Sequence, residues 1–97
     1  PSTELVLVSR AELETSVERC AREGRRCGVL AFDAVRGASA SEVAPRDPGG
    51  YAQLLYAALH RLDDAGCDVL FAEEPPDQPS WAAVRDRLRR ASAPAAN

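Results

Sequence analysis

The chain contains no lysine: all twelve of its basic residues are arginine, set against fifteen Asp and Glu for a formal charge of -3. The missing lysine, beside abundant Ala and Arg, points to a coding bias toward GC-rich DNA more than to a ligand. A mildly acidic domain of this kind makes a poor stand-alone nucleic-acid binder, because affinity for phosphates needs clustered positive charge. Cys20, Cys27 and Cys67 show neither CxxC nor Cys/His spacing, which argues against a zinc site. Isolated cysteines in odd number suit a reducing cytosol, where they act as small apolar core residues. No basic region followed by a long apolar run stands at the start. No apolar stretch approaches the roughly twenty residues a membrane helix needs. These absences predict a cytoplasmic protein. There is no GxGxxG or Walker pattern, and no low-complexity tract.

The 97 residues, 45% hydrophobic and 28% charged, suffice for one domain with one small core. The sequence begins at Pro1 and runs straight into a strand-like segment. We read this as a piece excised from a longer chain, although removal of an initiator methionine would expose a proline equally well.

Glu4 to Val8 (ELVLV) is a nearly continuous apolar run and predicts a buried strand. Ser9 and Glu12 have the capping-box spacing of a helix start, with Leu13, Val17, Cys20 and Ala21 as its inner stripe and Gly24 as its stop. Cys27 to Phe32 (CGVLAF) predicts a second strand, Asp33 to Ser41 a loop, and Ser41 to Ala44 a short third strand. Asp47 and Pro48 are suited to the N-cap and first position of a long helix. Its stripe is Tyr51, Leu54, Leu55, Ala58, Leu59 and Leu62, and Gly66 closes it. Val69 to Ala72 (VLFA) predicts a fourth strand. Ser80 is placed as the cap of a last helix with Trp81, Val84, Leu88 and Ala91 facing inward. The residues after Ser92 read as a frayed tail. This alternation predicts a small Rossmann-like α/β domain of three layers: a mostly parallel sheet of about four strands with helices on both faces.

Few residues suggest chemistry. His60 lies outside the apolar stripe, without the positioned partner a general base needs, and reads as a surface histidine. Gly49 and Gly50 open the long helix, whose amino terminus is a phosphate-binding position in many proteins. Here Asp47 occupies that positive end and Pro48 removes a donor. Arg85, Arg87, Arg89 and Arg90 form either a basic patch for a nucleotide or tRNA phosphate, or a solvated face balanced by Asp86. Glu73, Glu74 and Asp77 follow a strand end, where open α/β sheets place ligands, and carboxylates there suit a divalent cation. The interleaved prolines favour a charged surface loop. The cysteines lack an activating base, and Trp81 reads as an anchor against the sheet. No catalytic, cofactor-binding or metal-ligating residue is assigned.

The run DPGGYAQLLYAALHRLDDAGCDVLFAEEPPDQPSWAAVRDRLRRAS resembles the C-terminal accessory domain of the two-domain threonylcarbamoyl-adenylate synthases. The resemblance rests on Asp47-Pro48, Tyr51-Ala52, Leu55-Tyr56-Ala57-Ala58-Leu59, Leu62-Asp63, Gly66-Cys67-Asp68 and Asp86-Arg87-Leu88-Arg89-Arg90-Ala91. It extends over Glu4 to Ser92, with residues 1–3 matching the end of the interdomain linker. The chain departs from the family in two ways: Pro75, Pro76, Pro79 and Ser80 replace a glycine-rich turn before the last helix, which counts against a ligand role for that loop, and the family's catalytic region is absent from these residues. The resemblance implies a parent enzyme that joins L-threonine, bicarbonate and ATP (with Mg2+) into threonylcarbamoyl-adenylate for tRNA modification. The family's catalytic Lys, Arg, Ser and Thr have no positions here, which implies an inactive domain whose partner is the catalytic N-terminal domain of the same chain. Direct contact with tRNA, DNA or a membrane is not expected. A stand-alone nucleotide-binding module and a protein-interaction domain are the alternatives, the latter marked by an exposed apolar patch around Trp81 or Tyr51.

Overall fold

A computed structural model describes residues 3–92; the first two residues of the expected linker end and the expected tail at 93–97 lie outside this range. The elements follow the order β1 (Leu5–Val8), α1 (Arg10–Arg22), β2 (Cys27–Ala31), β3 (Ala40–Val43), α2 (Pro48–Asp64), β4 (Val69–Glu73), a 3-10 turn (Pro79–Trp81) and α3 (Ala82–Ser92). The strands form one parallel sheet in the order β1-β4-β2-β3. The path from β1 to β2 passes over β4 by way of α1, and the path from β3 to β4 travels back by way of α2. Right-handed crossovers running in opposite directions place their helices on opposite faces.

Two apolar layers result. Leu13, Val17 and Cys20 of α1 pack with Val29, Ala31, Val69 and Phe71 on one face. Tyr51, Leu55, Leu59 and Leu62 of α2 pack with Trp81, Val84, Leu88, Leu30 and Leu70 on the other. Each fully buried Leu or Val of this kind contributes about 1.5–3 kcal/mol relative to exposure. The central strands β2 and β4 are covered from both sides and are buried almost throughout, as their apolar runs predict. β3 is an edge strand with alternating exposure: Ala40 and Glu42 are half-buried, and Ser41 and Val43 are exposed.

Local signals explain most boundaries. The Ser9 hydroxyl accepts from the Glu12 N–H at 3.2 Å, and the Ser9 N–H donates to Glu12 Oε1 at 3.0 Å, completing the capping box. Those bonds hold the Glu12 carboxyl below its ordinary pKa, chiefly through the backbone N–H of Ser9. Gly24 and Gly66 follow α1 and α2 with φ of +70° and +77°, the left-handed conformation that ends helices. Two expectations need correction. Ala21 is exposed, so the buried stripe of α1 ends at Cys20. Ser80 does not cap the last helix: it sits inside the 3-10 turn, whose N-cap position is Gln78 without a side-chain bond. Pro79 at the first position of that turn fixes φ and starts it without a capping hydroxyl.

Candidate functional site

In a parallel sheet every strand points the same way, so the domain has two functionally distinct ends. The carboxyl ends of the strands form the usual ligand crevice of open α/β sheets. Here that end is occupied by the protein's own side chains. Glu73, at the last position of β4, accepts from the Phe32 N–H at 3.1 Å and stands 3.6 Å from Arg10 Nη1. Arg10 also donates to the carbonyls of Asp33 and Ala34 at 3.0 and 3.1 Å, fastening the loop after β2 to the start of α1. Arg46 pairs with Asp33 at 2.5 Å and lies 5.6 Å over the Phe32 ring. That hydrogen bond, with the added Coulombic attraction of Arg46, holds the Asp33 carboxyl below its ordinary range.

Beneath these pairs Phe32, Tyr51 and Trp81 meet at centroid distances of 5.6–5.7 Å in tilted and edge-on arrangements. The Tyr51 hydroxyl is buried without a hydrogen-bond partner among the described residues. Burial, and secondarily the Glu73 charge, raise its pKa well above the tyrosine range. The amino terminus of α2 is closed as well: Asp47 accepts from the Gly50 N–H at 2.7 Å, and Pro48 contributes no donor. The capped-helix reading of Gly49 and Gly50 therefore holds. Trp81 and Tyr51 are 5% and 1% exposed, so the apolar patch that would mark an interaction domain there does not exist.

The remaining candidates disperse. Glu73 points inward to Arg10 and Phe32, Glu74 is exposed, and Asp77 lies 4.0 Å from Arg85. Among the described residues no cluster of His, Cys, Asp or Glu is arranged to hold a metal ion. The arginines of α3 do not form one patch either. Arg85 is half-buried and donates to the Pro75 carbonyl at 2.7 Å, Arg90 pairs with Asp86 at 3.0 Å, and Arg89 borders a small groove between β1 and α3. That groove holds about 50 Å³, far below the roughly 300–1,000 Å³ of a small-molecule site. All three cysteines are buried free thiols, and burial raises the pKa of Cys20 and Cys67. His60 is exposed on α2 and lies 3.4 Å from Asp64.

At the opposite end, where the strands begin, the surface is open. A groove of about 640 Å³ runs between the last turns of α2 and α3. Leu59 and Ala91 line its base, Tyr56 and His60 flank it from α2, and Arg87 and Arg90 from α3. Asp63 belongs to the same groove and accepts from both the backbone N–H of Thr3, at 3.1 Å, and the Thr3 hydroxyl. Sequence reasoning passed over Arg10 and Arg46 and took Tyr56 and Asp63 only as part of the family pattern, since Arg10, Arg46 and Asp63 look like ordinary surface residues until their distant partners are known. Only the 67% exposure of Tyr56, an aromatic on the outer side of an amphipathic helix, had a signal in the helical spacing.

A family model described as "Threonylcarbamoyl-AMP synthase, C-terminal domain" matches residues 1–93. A doubly substituted form of P. abyssi Sua5 superposes with a TM-score of 0.85 at 28% identity, covering 95% of this chain and 28% of that one. P. abyssi Sua5 complexed with L-threonine gives 0.84 at the same identity and coverage. The C-terminal Sua5 domain of a hypothetical Sua5 protein from Pyrococcus horikoshii gives 0.78 at 24% identity over 90% of each chain, a likeness of fold. No curated protein matches the sequence. The chain spans about 28% of the length of the P. abyssi structures it matches.

Proposed function

We propose a mechanical role for this chain, which belongs to the family of threonylcarbamoyl-AMP synthase C-terminal domains. The parent enzyme is a nucleotidyltransferase of the cytoplasm. It joins L-threonine, bicarbonate and ATP into threonylcarbamoyl-adenylate, releases pyrophosphate, and so supplies the threonylcarbamoyl group for tRNA modification. ATP, with Mg2+, is bound by the catalytic domain upstream, and the present domain carries no catalytic residue, cofactor or direct tRNA contact of its own. It docks on the catalytic domain and helps to hold that site closed. Closure matters because a carbamate joined to an activated phosphate hydrolyses readily, and an enclosed site excludes the attacking water.

The observation that supports an accessory role is the filled ligand crevice. Glu73, Arg10, Asp33 and Arg46 satisfy one another there, and Asp47 occupies the helix end that would otherwise attract a phosphate. A nucleotide would have to displace two ion pairs and a helix cap. On this reading, titration of ATP into the domain gives no saturable micromolar binding, whereas a nucleotide-binding module would give it.

The test is threonine-dependent pyrophosphate release by the parent protein with and without these residues, together with the lifetime of the adenylate intermediate. Loss of the domain is expected to shorten that lifetime. Undiminished release with an unchanged lifetime would refute the closing role.

A further inference from the structure

The groove at the amino end of the sheet has the features of a seat for polypeptide, and the path of the chain indicates which polypeptide. α2 and α3 both run against the strand direction, so their carboxyl ends lie beside the start of β1. Thr3 precedes β1 and is tied to Asp63 through two atoms, its backbone N–H and its hydroxyl. Asp63 is itself a wall of the groove. Thr3 is therefore held at the groove's end. In the matched P. abyssi structures about 28% of the chain corresponds to this one, and the matching family is a C-terminal domain, so the remainder lies upstream.

The chemistry of the walls fits such an occupant. Tyr56 is 67% exposed and lines the groove together with half-buried Ala91, while Leu59, which also borders it, is buried in the core. A large exposed aromatic beside half-covered aliphatic surface marks a contact site more often than a solvated one. Arg87 makes no ion pair among the described residues, although its neighbours Arg85 and Arg90 each have a carboxylate within 4.0 Å. Arg87 and Arg90 lie three residues apart on α3, on one face of the helix, and both line the groove. The complement of this surface is an extended segment with one apolar or aromatic side chain for Tyr56 and a carboxylate or backbone carbonyls for the arginines.

We propose that the groove between α2 and α3 seats the parent-chain segment immediately upstream of this domain, fixing the angle at which the domain meets its catalytic partner. This rests on the accessory reading given above and adds the surface through which it acts. A helix-flanked groove continuous with the anchored Thr3 makes the connection a splint rather than a free tether, so that docking costs little ordering entropy.

The experiment uses the full-length parent. Hydrogen exchange is followed in the upstream segment for the wild type, for Tyr56→Ala, and for Arg87→Glu combined with Arg90→Glu. Arg19→Glu on the opposite face serves as the control. Exchange in the upstream segment is expected to quicken at least about tenfold in the groove variants, equivalent to about 1.4 kcal/mol of lost protection. Amides of β2 and β4 are expected to stay protected, showing that the domain remains folded. Equal protection of the segment in all variants would overturn the proposal, and so would groove amides that become protected only when tRNA is added. Pyrophosphate release measured on the same proteins separates the two readings. Unchanged exchange with a domain-dependent intermediate lifetime rejects the groove and keeps the closing role. Faster exchange with an unchanged lifetime keeps the groove and rejects the closing role.

Discussion

Gly28 lies at the centre of the sheet, paired with Leu70 of β4 and Ala40 of β3, and a methyl group there has nowhere to go. A Cβ built on its backbone would stand 2.8 Å from Leu70 Cδ2, 3.1 Å from Cys67 Sγ and 3.3 Å from Leu62 Cδ2. Carbon atoms in good contact sit at about 3.5–4.0 Å, so the nearest approach is too close by about 0.7 Å. Leu70 and Leu62 are 0% and 1% exposed, and neither can swing into solvent to make room.

Two effects of Gly28→Ala oppose each other. Gly28 is not among the glycines with positive φ, so alanine is compatible with its backbone and gains about 0.4–1 kcal/mol from a stiffer unfolded chain. Overpacking of a tight core costs about 1–3 kcal/mol. The overpacking term prevails, and the variant should lose about 1–2 kcal/mol. A change of that size lowers Tm by about 4–8 °C per kcal/mol in a domain this small. Urea unfolding followed by circular dichroism would show a reduced midpoint at unchanged m. Leu70→Val removes the obstructing Cδ2, and its cost should be smaller in the Gly28→Ala background than in the wild type, a coupling of at least about 0.5 kcal/mol. A variant as stable as the wild type, or a strictly additive double variant, would refute the packing argument.

Leu59→Ala should cost about 2–5 kcal/mol by urea unfolding, since Leu59 is 3% exposed within the α2 face of the core; a loss below about 0.5 kcal/mol would contradict its burial. Asp47→Ala removes the cap on Gly50 N–H and should cost about 1 kcal/mol, whereas Asp47→Ser, which keeps an acceptor, should lose less. The pKa of Asp33 is lowered in the folded state, so its contribution to stability is present above the unfolded Asp pKa and disappears as pH falls through the folded value. Carboxyl NMR titration should therefore show the Asp33 pKa rising in Arg46→Gln, and an unmoved value would show that the ion pair is not formed in solution.

The parts legible in the sequence were those governed by short-range rules. Ser9 with Glu12, Asp47 with Pro48, and Gly24 and Gly66 each mark a helix end through bonds or dihedrals spanning a few residues, and each does so in the structure. The apolar runs of β2 and β4 revealed central strands because a strand covered on both faces has no solvent side. Ser80 misled because its hydroxyl suits an N-cap, while Pro79 beside it starts a 3-10 turn without one. The two ends of the sheet could not be read in advance. Glu73 and Asp77 look alike in sequence, yet one bonds the Phe32 amide 41 positions away and the other remains exposed. Likewise, nothing near Asp63 signals that it binds Thr3 at a separation of 60 positions.

Those two long-range contacts also account for the division between a closed end and an open one. A parallel sheet gathers helix amino termini at the carboxyl ends of its strands, and their positive potential favours an anion there. In this domain the anions are built in: Asp47 on α2, Glu12 on α1 and Glu73 on β4. An incoming phosphate would replace an existing acceptor rather than fill an unsatisfied one, and would gain little net free energy. The other end gathers helix carboxyl termini, where arginines are favoured, and Arg61, Arg89 and Arg90 stand in the last turns of α2 and α3. Arg61 pairs there with Glu42 at 2.7 Å and Arg90 with Asp86 at 3.0 Å. Asp63 holds Thr3 at the same end. The same dipole arithmetic thus disfavours a further anion at the carboxyl ends of the strands and concentrates arginines, with the exposed Tyr56 nearby, at the end where Thr3 is held.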